Sequence, residues 1–347
     1  MRHHSLRFLA LATAALLMAA SCGETGHQEA TTAAATPGTD STLAALHARI
    51  SADPGNFNNY LERARYLAGI DNFTDAFRDV ERALQIDSTQ AAIYIVKGEL
   101  HWLLQDVRSA YDTYKKCAAI QPDDAACLLK KSAIDITLGN YEMALSQINH
   151  ALRQNELNPE PYYLKGRLYK EAGDTTLSAS SYQTAIELDP NYYDAYIEVG
   201  LLYHEKKHDL AEEYFTAAID VKPKSIEAWY NKAMFLQETG FRDKARYDEA
   251  RECYRQILGI DPKFAPAWFN QGYIDLEYQK EYARATEAFS RAVELNPGYY
   301  QAYYNRGLAL EIQGKNREAE ADYRKALSIQ PDYTDAALAL GRVLGER

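Results

Sequence analysis

The chain has 347 residues, a formal net charge of −11, and four cysteines. Its acidic balance, without a sustained stripe of lysine and arginine, argues against nucleic acid as a partner. Loss of residues 1–21, which contain two arginines, would make the net charge −13.

Residues 1–21 have the pattern of a secretory signal peptide. Arg2 and Arg7 lie near the start, and residues 8–20 are apolar apart from Thr13. This apolar run is too short to cross a bilayer as a helix. The segment is therefore predicted to be a signal peptide and not a membrane span.

Residues 19–21 are small and lead into Cys22, an arrangement that resembles a bacterial lipobox. The resemblance implies cleavage before Cys22 and acylation of that cysteine, whereas the alternative is an ordinary signal peptide that ends near a cysteine. Residues 22–41 are then the lipidated cysteine and a flexible linker. Gly23 follows the lipid site, which by the enterobacterial sorting rule indicates the outer membrane. We expect a lipid-anchored protein of the bacterial envelope.

Residues 57–333 repeat a pattern with a period of about 34 residues. Six of the repeats end in a hydrophobic residue, a polar residue and a proline, which ends a helix. The pattern divides the segment into eight units: 57–90, 91–124, 125–158, 159–192, 193–225, 226–264, 265–299 and 300–333. Residues 42–56 are interpreted as a partial repeat and residues 334–347 as a capping helix.

Small residues recur at positions 8 and 20 of the units. Position 8 is occupied by Ala64, Gly98, Ser132, Gly166, Gly200, Ala233, Gly272 and Gly307. Position 20 is occupied by Ala76, Ala110, Ala144, Ser178, Ala211, Ala250, Ala285 and Ala319. Small side chains at these positions allow two antiparallel helices to approach closely.

Bulky residues recur at positions 4 and 24. Position 4 is occupied by Tyr60, Tyr94, Leu128, Tyr162, Tyr196, Trp229, Trp268 and Tyr303. Position 24 is occupied by Val80, Tyr114, Ile148, Tyr182, Phe215, Tyr254, Phe289 and Tyr323. We expect these side chains to fill the space that the small residues leave.

This pattern resembles the tetratricopeptide repeat (TPR) family, in which an aromatic residue, glycine, alanine, a second aromatic residue and proline recur in that order within each repeat. The resemblance implies an all-α fold, a right-handed superhelical solenoid of about eight helix-turn-helix repeats with terminal capping helices. It also implies a protein-interaction module that binds a partner protein or peptide. The oligomeric state is not predicted.

In the TPR family, positions 5, 6 and 9 of each unit face a concave groove that contacts the ligand. The candidate groove residues in this chain are Tyr163, Arg167, Tyr230, Asn231, Phe269, Asn270, Tyr273, Tyr304 and Asn305. Aromatic rings there could bind an extended or helical segment, and the three asparagines could bind its backbone. The alternative is that the rings pack only between neighbouring helices, and the tyrosines could also bind a glycan or small molecule.

A row of four glutamates occupies position 13 of units 4 to 7: Glu171, Glu205, Glu238 and Glu277. One carboxylate in each unit would form a negative ridge beside the groove, which favours a cationic partner. The alternative is a solvated helix end without a binding role.

His204, Glu205 and His208 match the His-Glu-x-x-His signature of zinc peptidases. The signature requires both imidazoles on one face of one helix. The repeat pattern places His204 at the end of a helix and His208 in the following turn. We therefore predict no catalytic site, no metal and no cofactor, with a zinc metallopeptidase as the alternative.

Cys117 occupies position 27, where the other units mostly carry alanine, and is interpreted as a small core residue. Cys117 and Cys127 flank one turn between units, so a disulfide between them is conceivable. It would leave Cys253 unpaired, and the sequence does not decide the question.

Overall fold

Helices in consecutive pairs make up the part of the chain that the structure describes. The structure is a computed structural model that describes residues 37–345, with side chains from residue 41 onward. No strand occurs in this range. The predicted signal peptide, Cys22 and residues 22–36 of the predicted linker lie outside it.

Eight helix pairs lie between an opening helix, α1 (Pro37–Ala52), and a final helix, α18 (Thr334–Gly345). The first helices of the pairs are α2 (Phe57–Gly69), α4 (Ala91–Leu103), α6 (Ala125–Thr137), α8 (Pro159–Glu171), α10 (Tyr193–Glu205), α12 (Ile226–Thr239), α14 (Ala265–Ile274) and α16 (Tyr300–Ile312). The second helices are α3 (Phe73–Ile86), α5 (Val107–Ile120), α7 (Tyr141–Gln154), α9 (Thr175–Leu188), α11 (Leu210–Val221), α13 (Ala245–Ile260), α15 (Tyr282–Leu295) and α17 (Asn316–Ile329). The predicted all-α solenoid of helix pairs is confirmed.

The two helices of a pair meet where a small residue at position 8 faces the side chain at position 24. A Cβ atom added to Gly166 would lie 2.4 Å from Cδ1 of Tyr182, and one added to Gly200 would lie 2.5 Å from Cε1 of Phe215. All eight residues at position 20 are fully buried at the same crossing. The alternation of small and large residues therefore fixes how closely each pair packs.

The turns inside the pairs repeat the same backbone geometry. After most first helices a residue with positive φ reverses the chain: Asp71, Gln105, Gly139, Gly173, Lys207, Lys280 and Gly314. The second helix then begins after a polar cap. Asn72, Asp106 and Asp174 each accept a hydrogen bond from the backbone N–H of the residue three positions later. Such caps satisfy N–H groups that have no partner inside the helix.

Units 6 and 7 are longer than the other units, and they absorb the extra length in different ways. In unit 7, α14 continues as a π-helical turn over Asp275–Gln279, so the added residue stays within the helix. In unit 6, the added residues lie around the turn between α12 and α13. Arg242 in that turn donates to the carbonyl oxygen of Lys207 at 2.7 Å and to a carboxylate oxygen of Asp209 at 3.2 Å. The longer turn is thereby tied to the turn of unit 5.

A disulfide joins Cys117 of α5 to Cys127 of α6, with Cα atoms 5.7 Å apart. The disulfide that the sequence left open is therefore present, and Cys117 is fully buried, as its interpretation as a small core residue predicts. The turn between units 2 and 3 brings the two helix segments within the distance that a disulfide requires. Cys253 is free and buried in α13, and burial raises the pKa of its thiol to about 12.

The terminal helices cover the two ends of the array. At the first end, Asn59 of α2 donates to the carbonyl oxygen of Asp53, just beyond α1. At the other end, Arg342 of α18 donates to Oε2 of Glu311 in α16 at 2.8 Å. Within residues 37–345, no helix has both the length and the apolar character that a membrane crossing needs.

We expect Gly166→Ala to destabilise the protein by about 1–3 kcal/mol, because the new methyl group would overlap the ring of Tyr182. Gly259→Ala in α13 is the matched control, since a Cβ there has no atom within 4 Å. It should be neutral or slightly stabilising, because alanine favours helix over glycine. Urea unfolding followed by circular dichroism measures both. Equal losses in the two variants would contradict the packing role of position 8.

Candidate functional site

First helices of neighbouring units contact one another at several of the boundaries between units. α2 contacts α4, α4 contacts α6, and α6 contacts α8. Ion pairs cross these boundaries: Arg65 with Glu99 at 3.3 Å, Lys130 with Glu99 at 3.5 Å, and Lys170 with Glu198 at 2.6 Å. These residues occupy positions 6, 9 and 12. We call the surface formed by positions 5, 6, 9 and 12 of the first helices the first-helix face.

Aromatic rings at position 5 form the floor of this face in units 4, 6, 7 and 8. The ring of Tyr163 lies 5.5 Å from that of Tyr182 at position 24 and 5.2 Å from that of Tyr192, the last residue of the unit. The other position 5 rings with such neighbours are Tyr230 (between Tyr254 and Phe264), Phe269 (between Phe289 and Tyr299) and Tyr304 (between Tyr323 and Tyr333). Each of these rings is therefore both a packing element and a half-buried part of the face.

Burial raises the pKa of the phenols on this face. It raises the pKa of Tyr163 and of Tyr304 to about 12, with the nearby carboxylates of Glu198 and Asp335 acting in the same direction. Protonated hydroxyl groups can donate hydrogen bonds to a bound segment. The first-helix face therefore presents the edges of aromatic rings together with uncharged hydroxyl groups that can donate hydrogen bonds.

Two further predicted groove residues, Arg167 and Tyr273, occupy position 9. Both are half-buried. The ring of Tyr273 lies 6.4 Å from that of Phe269, so these two rings extend the aromatic floor within unit 7. Arg167 makes no ion pair with the described residues, and its charge is close enough to Tyr163 to offset part of the rise in the pKa of that phenol. The structure thus places a cation beside the aromatic floor of unit 4.

The three predicted asparagines differ in their surroundings. Asn231 is half-buried, whereas Asn270 and Asn305 are buried. Asn270 donates through Nδ2 to the hydroxyl of Tyr230 at 3.1 Å, and Asn305 donates to the carbonyl oxygen of Gln301 at 2.9 Å. Asn270 also donates through Nδ2 to Sδ of Met234 at 3.7 Å, so its amide donates twice within the chain, whereas that of Asn305 donates once.

The predicted acidic row lies at the ends of α8, α10, α12 and the π turn. Glu171, Glu205 and Glu277 are exposed and make no ion pair with the described residues. Glu238 is different, because its carboxylate is 3.1 Å from Nε2 of His204 in the preceding unit. The hydrogen bond with His204 lowers the pKa of Glu238. The row therefore presents three free carboxylates and one that joins units 5 and 6.

The two histidines of the zinc-like signature have separate environments. His204 lies in the last turn of α10, with its ring 5.4 Å from that of Phe235. His208 lies in the turn, where Nδ1 accepts a hydrogen bond from the backbone N–H of Leu210. The two rings do not share one helical face. Between residues 37 and 345, no three His, Cys, Asp or Glu side chains are grouped to hold a metal ion.

The sequence analysis missed the aromatic residue that ends a unit. Tyr192, Phe264, Tyr299 and Tyr333 complete the aromatic floor of units 4, 6, 7 and 8. They recur just before the next first helix, so the period could have identified them. Their ring contacts with position 5 depend on the turn between units.

Comparison with known proteins identifies the repeats. Tetratricopeptide repeat family models match residues 91–124, 226–264 and 300–333, and a model described as TPR repeat matches residues 166–207. Three of these ranges coincide with units defined by the period. The chain is a tetratricopeptide-repeat protein.

Similar proteins span a wide range of organisms. A TPR repeat-containing protein of Methanocaldococcus jannaschii is 25% identical over 78% of this chain and 43% of its own length. Human tetratricopeptide repeat protein 6 is 23% identical over 83% of this chain and 55% of its own length. The chain therefore spans about half the length of these curated relatives.

Among solved structures, the C-terminal part of a TPR repeat-containing protein from Cytophaga hutchinsonii is similar in fold. It superimposes with a TM-score of 0.59 at 15% identity, over 71% of this chain and 99% of that one. TPR proteins are in general scaffolds without enzymatic activity. The fold therefore supports a role in protein–protein interaction.

We expect Glu238→Gln to lower stability at pH 7 by less than about 1 kcal/mol, because the carboxylate that binds His204 is partly exposed. The folded pKa of Glu238 is lowered, so its contribution is present above the ordinary pKa of 4.5 and is lost as the pH falls through the folded value. Glu205→Gln, at the same unit position without an ion pair to the described residues, is the control. The urea concentration at the midpoint of unfolding, measured for both variants between pH 3 and 7, tests this pH dependence. A difference between the variants that does not begin to shrink as the pH falls below 4.5 would contradict it.

Proposed function

We propose that this TPR protein is a membrane-anchored scaffold of the bacterial envelope that binds a segment of a partner protein on the first-helix face of units 4 to 8. The observation that carries the proposal is the aromatic floor of that face beside a row of exposed carboxylates. A surface of this kind suits a segment with apolar side chains and positive charges.

The apolar part of the interaction comes from rings that are already held in place. Tyr163, Phe269 and Tyr304 each have at least two aromatic neighbours, so little rotamer freedom is lost when a ligand covers their exposed edges. Leu201 and Met234, also half-buried, occupy position 9 between these rings. A partner segment would therefore bury apolar surface against a pre-organised floor.

The charged part of the interaction comes from Glu171, Glu205 and Glu277. Because these carboxylates make no ion pair with the described residues, their field extends into solvent over roughly one Debye length, about 8 Å at physiological salt. Lysine or arginine in the partner would be attracted along the row. This charge favours association rate and selectivity more than tight binding.

The envelope location rests on the sequence before residue 37 and on the disulfide. Residues 1–22 have the signal and lipobox patterns. The Cys117–Cys127 bond supports an oxidising compartment, because disulfides persist outside the cytosol. Acylation of Cys22 would hold the array at a membrane through the linker that precedes α1.

Thiol labelling tests the anchor and the disulfide together. The proposal predicts one reactive thiol, Cys253, in denatured protein without reductant, and three after reduction of the disulfide. Mass spectrometry of the labelled protein counts them. An unmodified Cys22 would add one thiol to both counts, and equal counts before and after reduction would show that the disulfide is absent.

Photo-crosslinking in intact cells tests partner binding. A photoreactive amino acid at position 201 should capture a protein, whereas the same group at position 187 on α9 should not. In membranes prepared from those cells, Glu171→Lys together with Glu205→Lys should lower capture roughly tenfold at low salt and less at 0.5 M, because both charges change sign. Glu187→Lys together with Glu213→Lys, exposed on second helices, is the matched control. Equal losses in both double variants, or capture of glycan without protein, would contradict the proposal.

A further inference from the structure

Large apolar side chains are exposed where the first helices of units 1 to 3 end. We call positions 13 and 14 of each unit, at the start of the turn, the turn edge. In units 1 to 3 its exposed apolar residues are Ile70 (45% exposed), Leu103 (57%), Leu104 (48%) and Leu138 (54%). Trp102, at position 12 beside them, is 46% exposed. Because consecutive units stack, residues at equal positions lie in a row and form one apolar strip.

At position 13 the same edge is acidic in the next four units, and Tyr278, at position 14 of unit 7 and 42% exposed, is the large apolar side chain exposed on this edge there. Position 13 there is occupied by Glu171, Glu205, Glu238 and Glu277, all exposed. The packing positions 8 and 20 do not change between the two groups of units. The strip is therefore not a by-product of the repeat fold, and it ends at the boundary between units 3 and 4.

The size of the strip is informative about what can cover it. Five partly exposed side chains amount to a few hundred Å² of apolar surface, which is within the range of patches that bind something. A stable dimer buries about 800 Å² on each partner. The strip is too small to hold a second copy of the chain by itself, whereas a lipid surface requires neither that area nor a complementary shape.

The position of the strip in the chain also matters. It lies in the three units nearest to the N-terminal segment, and only residues 23–36 separate Cys22 from Pro37, where α1 begins. The linker predicted from the sequence would, at that length, have a root-mean-square span of about 20 Å. A lipid on Cys22 would hold units 1 to 3 close to the bilayer, where even a weak second contact is effective.

We propose that the apolar turn edge of units 1 to 3 docks onto the bilayer that holds the N-terminal anchor. The inference rests on the proposed function, because it takes the lipid at Cys22 as the first contact. Tryptophan is enriched at membrane interfaces, which fits Trp102 at this edge. The lipid at Cys22 tethers the chain at one point only, so a second contact would fix the orientation of units 1 to 3 against the bilayer.

The side chains of the turn edge also indicate which kind of lipid headgroup the contact requires. Asp71 and Asp106 flank the strip in the turns of units 1 and 2, and both are exposed. The docking contact is thus apolar, without a basic cluster, and it does not require anionic lipid. The carboxylates of units 4 to 7 resist entry into the headgroup layer, so the contact ends at unit 3.

Fluorescence of Trp102 in vesicles tests the docking. The full chain, purified from its membranes, is reconstituted into phosphatidylcholine vesicles that carry brominated acyl chains. Trp229→Phe with Trp268→Phe leaves Trp102 as the one tryptophan, and its emission should fall about twofold. The control is Trp102→Phe, which keeps two indoles whose N–H groups bind the carbonyl oxygens of Pro223 and Pro262. Its emission should be unchanged.

Charge substitutions locate the contact. In the variant with Trp102 alone, Leu103→Glu with Leu138→Glu gives the edge the acidic character of the later units and should abolish the quenching. Ile312→Glu is the matched control, because Ile312 occupies position 13 of unit 8 and is 55% exposed, compared with 57% for Leu103. It should leave the quenching intact. Circular dichroism verifies that each variant is folded.

Flotation of the same vesicles separates this inference from the anchor. Protein that floats while Trp102 stays unquenched overturns the docking and leaves the anchor standing. Protein that does not float contradicts the anchor. In that case the docking is tested by adding excess vesicles to the protein, and absence of Trp102 quenching would overturn the docking. A Trp102 emission that depends on protein concentration in detergent, without vesicles, would assign the edge to a second copy and overturn the inference.

Discussion

The fold depends on the contact between a small residue at position 8 and the ring or branched side chain at position 24. In five units the small residue is glycine, and a single added carbon would overlap the facing ring. The contact sets the distance between the two helices of a pair, and that distance places position 20 in full burial. Because each unit repeats the same distance, units stack with the same relation to their neighbours. The array thus follows from one local packing rule applied eight times.

The surface available for binding follows from the same rule. The ring at position 24 that covers the glycine also contacts the ring at position 5, which in turn contacts the aromatic residue that ends the unit. The floor of the first-helix face is therefore part of the core, and its composition is constrained by packing. Selectivity must then come from residues that packing leaves free, such as Arg167 and the carboxylates at position 13. Under the proposed function, a partner would be recognised by charge at the margin and by apolar burial on the floor.

The features that were predictable from sequence are those that recur with the period. The small and large positions, the helix pairs and the placement of His204 and His208 follow from register alone. The disulfide was not predictable, because it depends on how the turn between units 2 and 3 brings Cys117 and Cys127 together. The bond from Asn270 to Tyr230 joins residues 40 positions apart in two units, and the sequence pattern contains no signal for it. The π turn in unit 7 likewise depends on where the helix absorbs one extra residue.

The apolar and acidic parts of the turn edge show how a repeat array separates stability from function. Positions 8, 20 and 24 are restricted in every unit, because each must close its own helix pair and support the next. Position 13 lies at the exposed end of the first helix, outside the crossing of the helix pair, so it can carry leucine in unit 2 and glutamate in units 4 to 7 without a packing cost. The turn edge changes from apolar to acidic while positions 8, 20 and 24 stay the same. Such a change is best explained by a difference in what the two parts of the surface bind. Units 1 to 3 and units 4 to 7 share one scaffold and present two different surfaces.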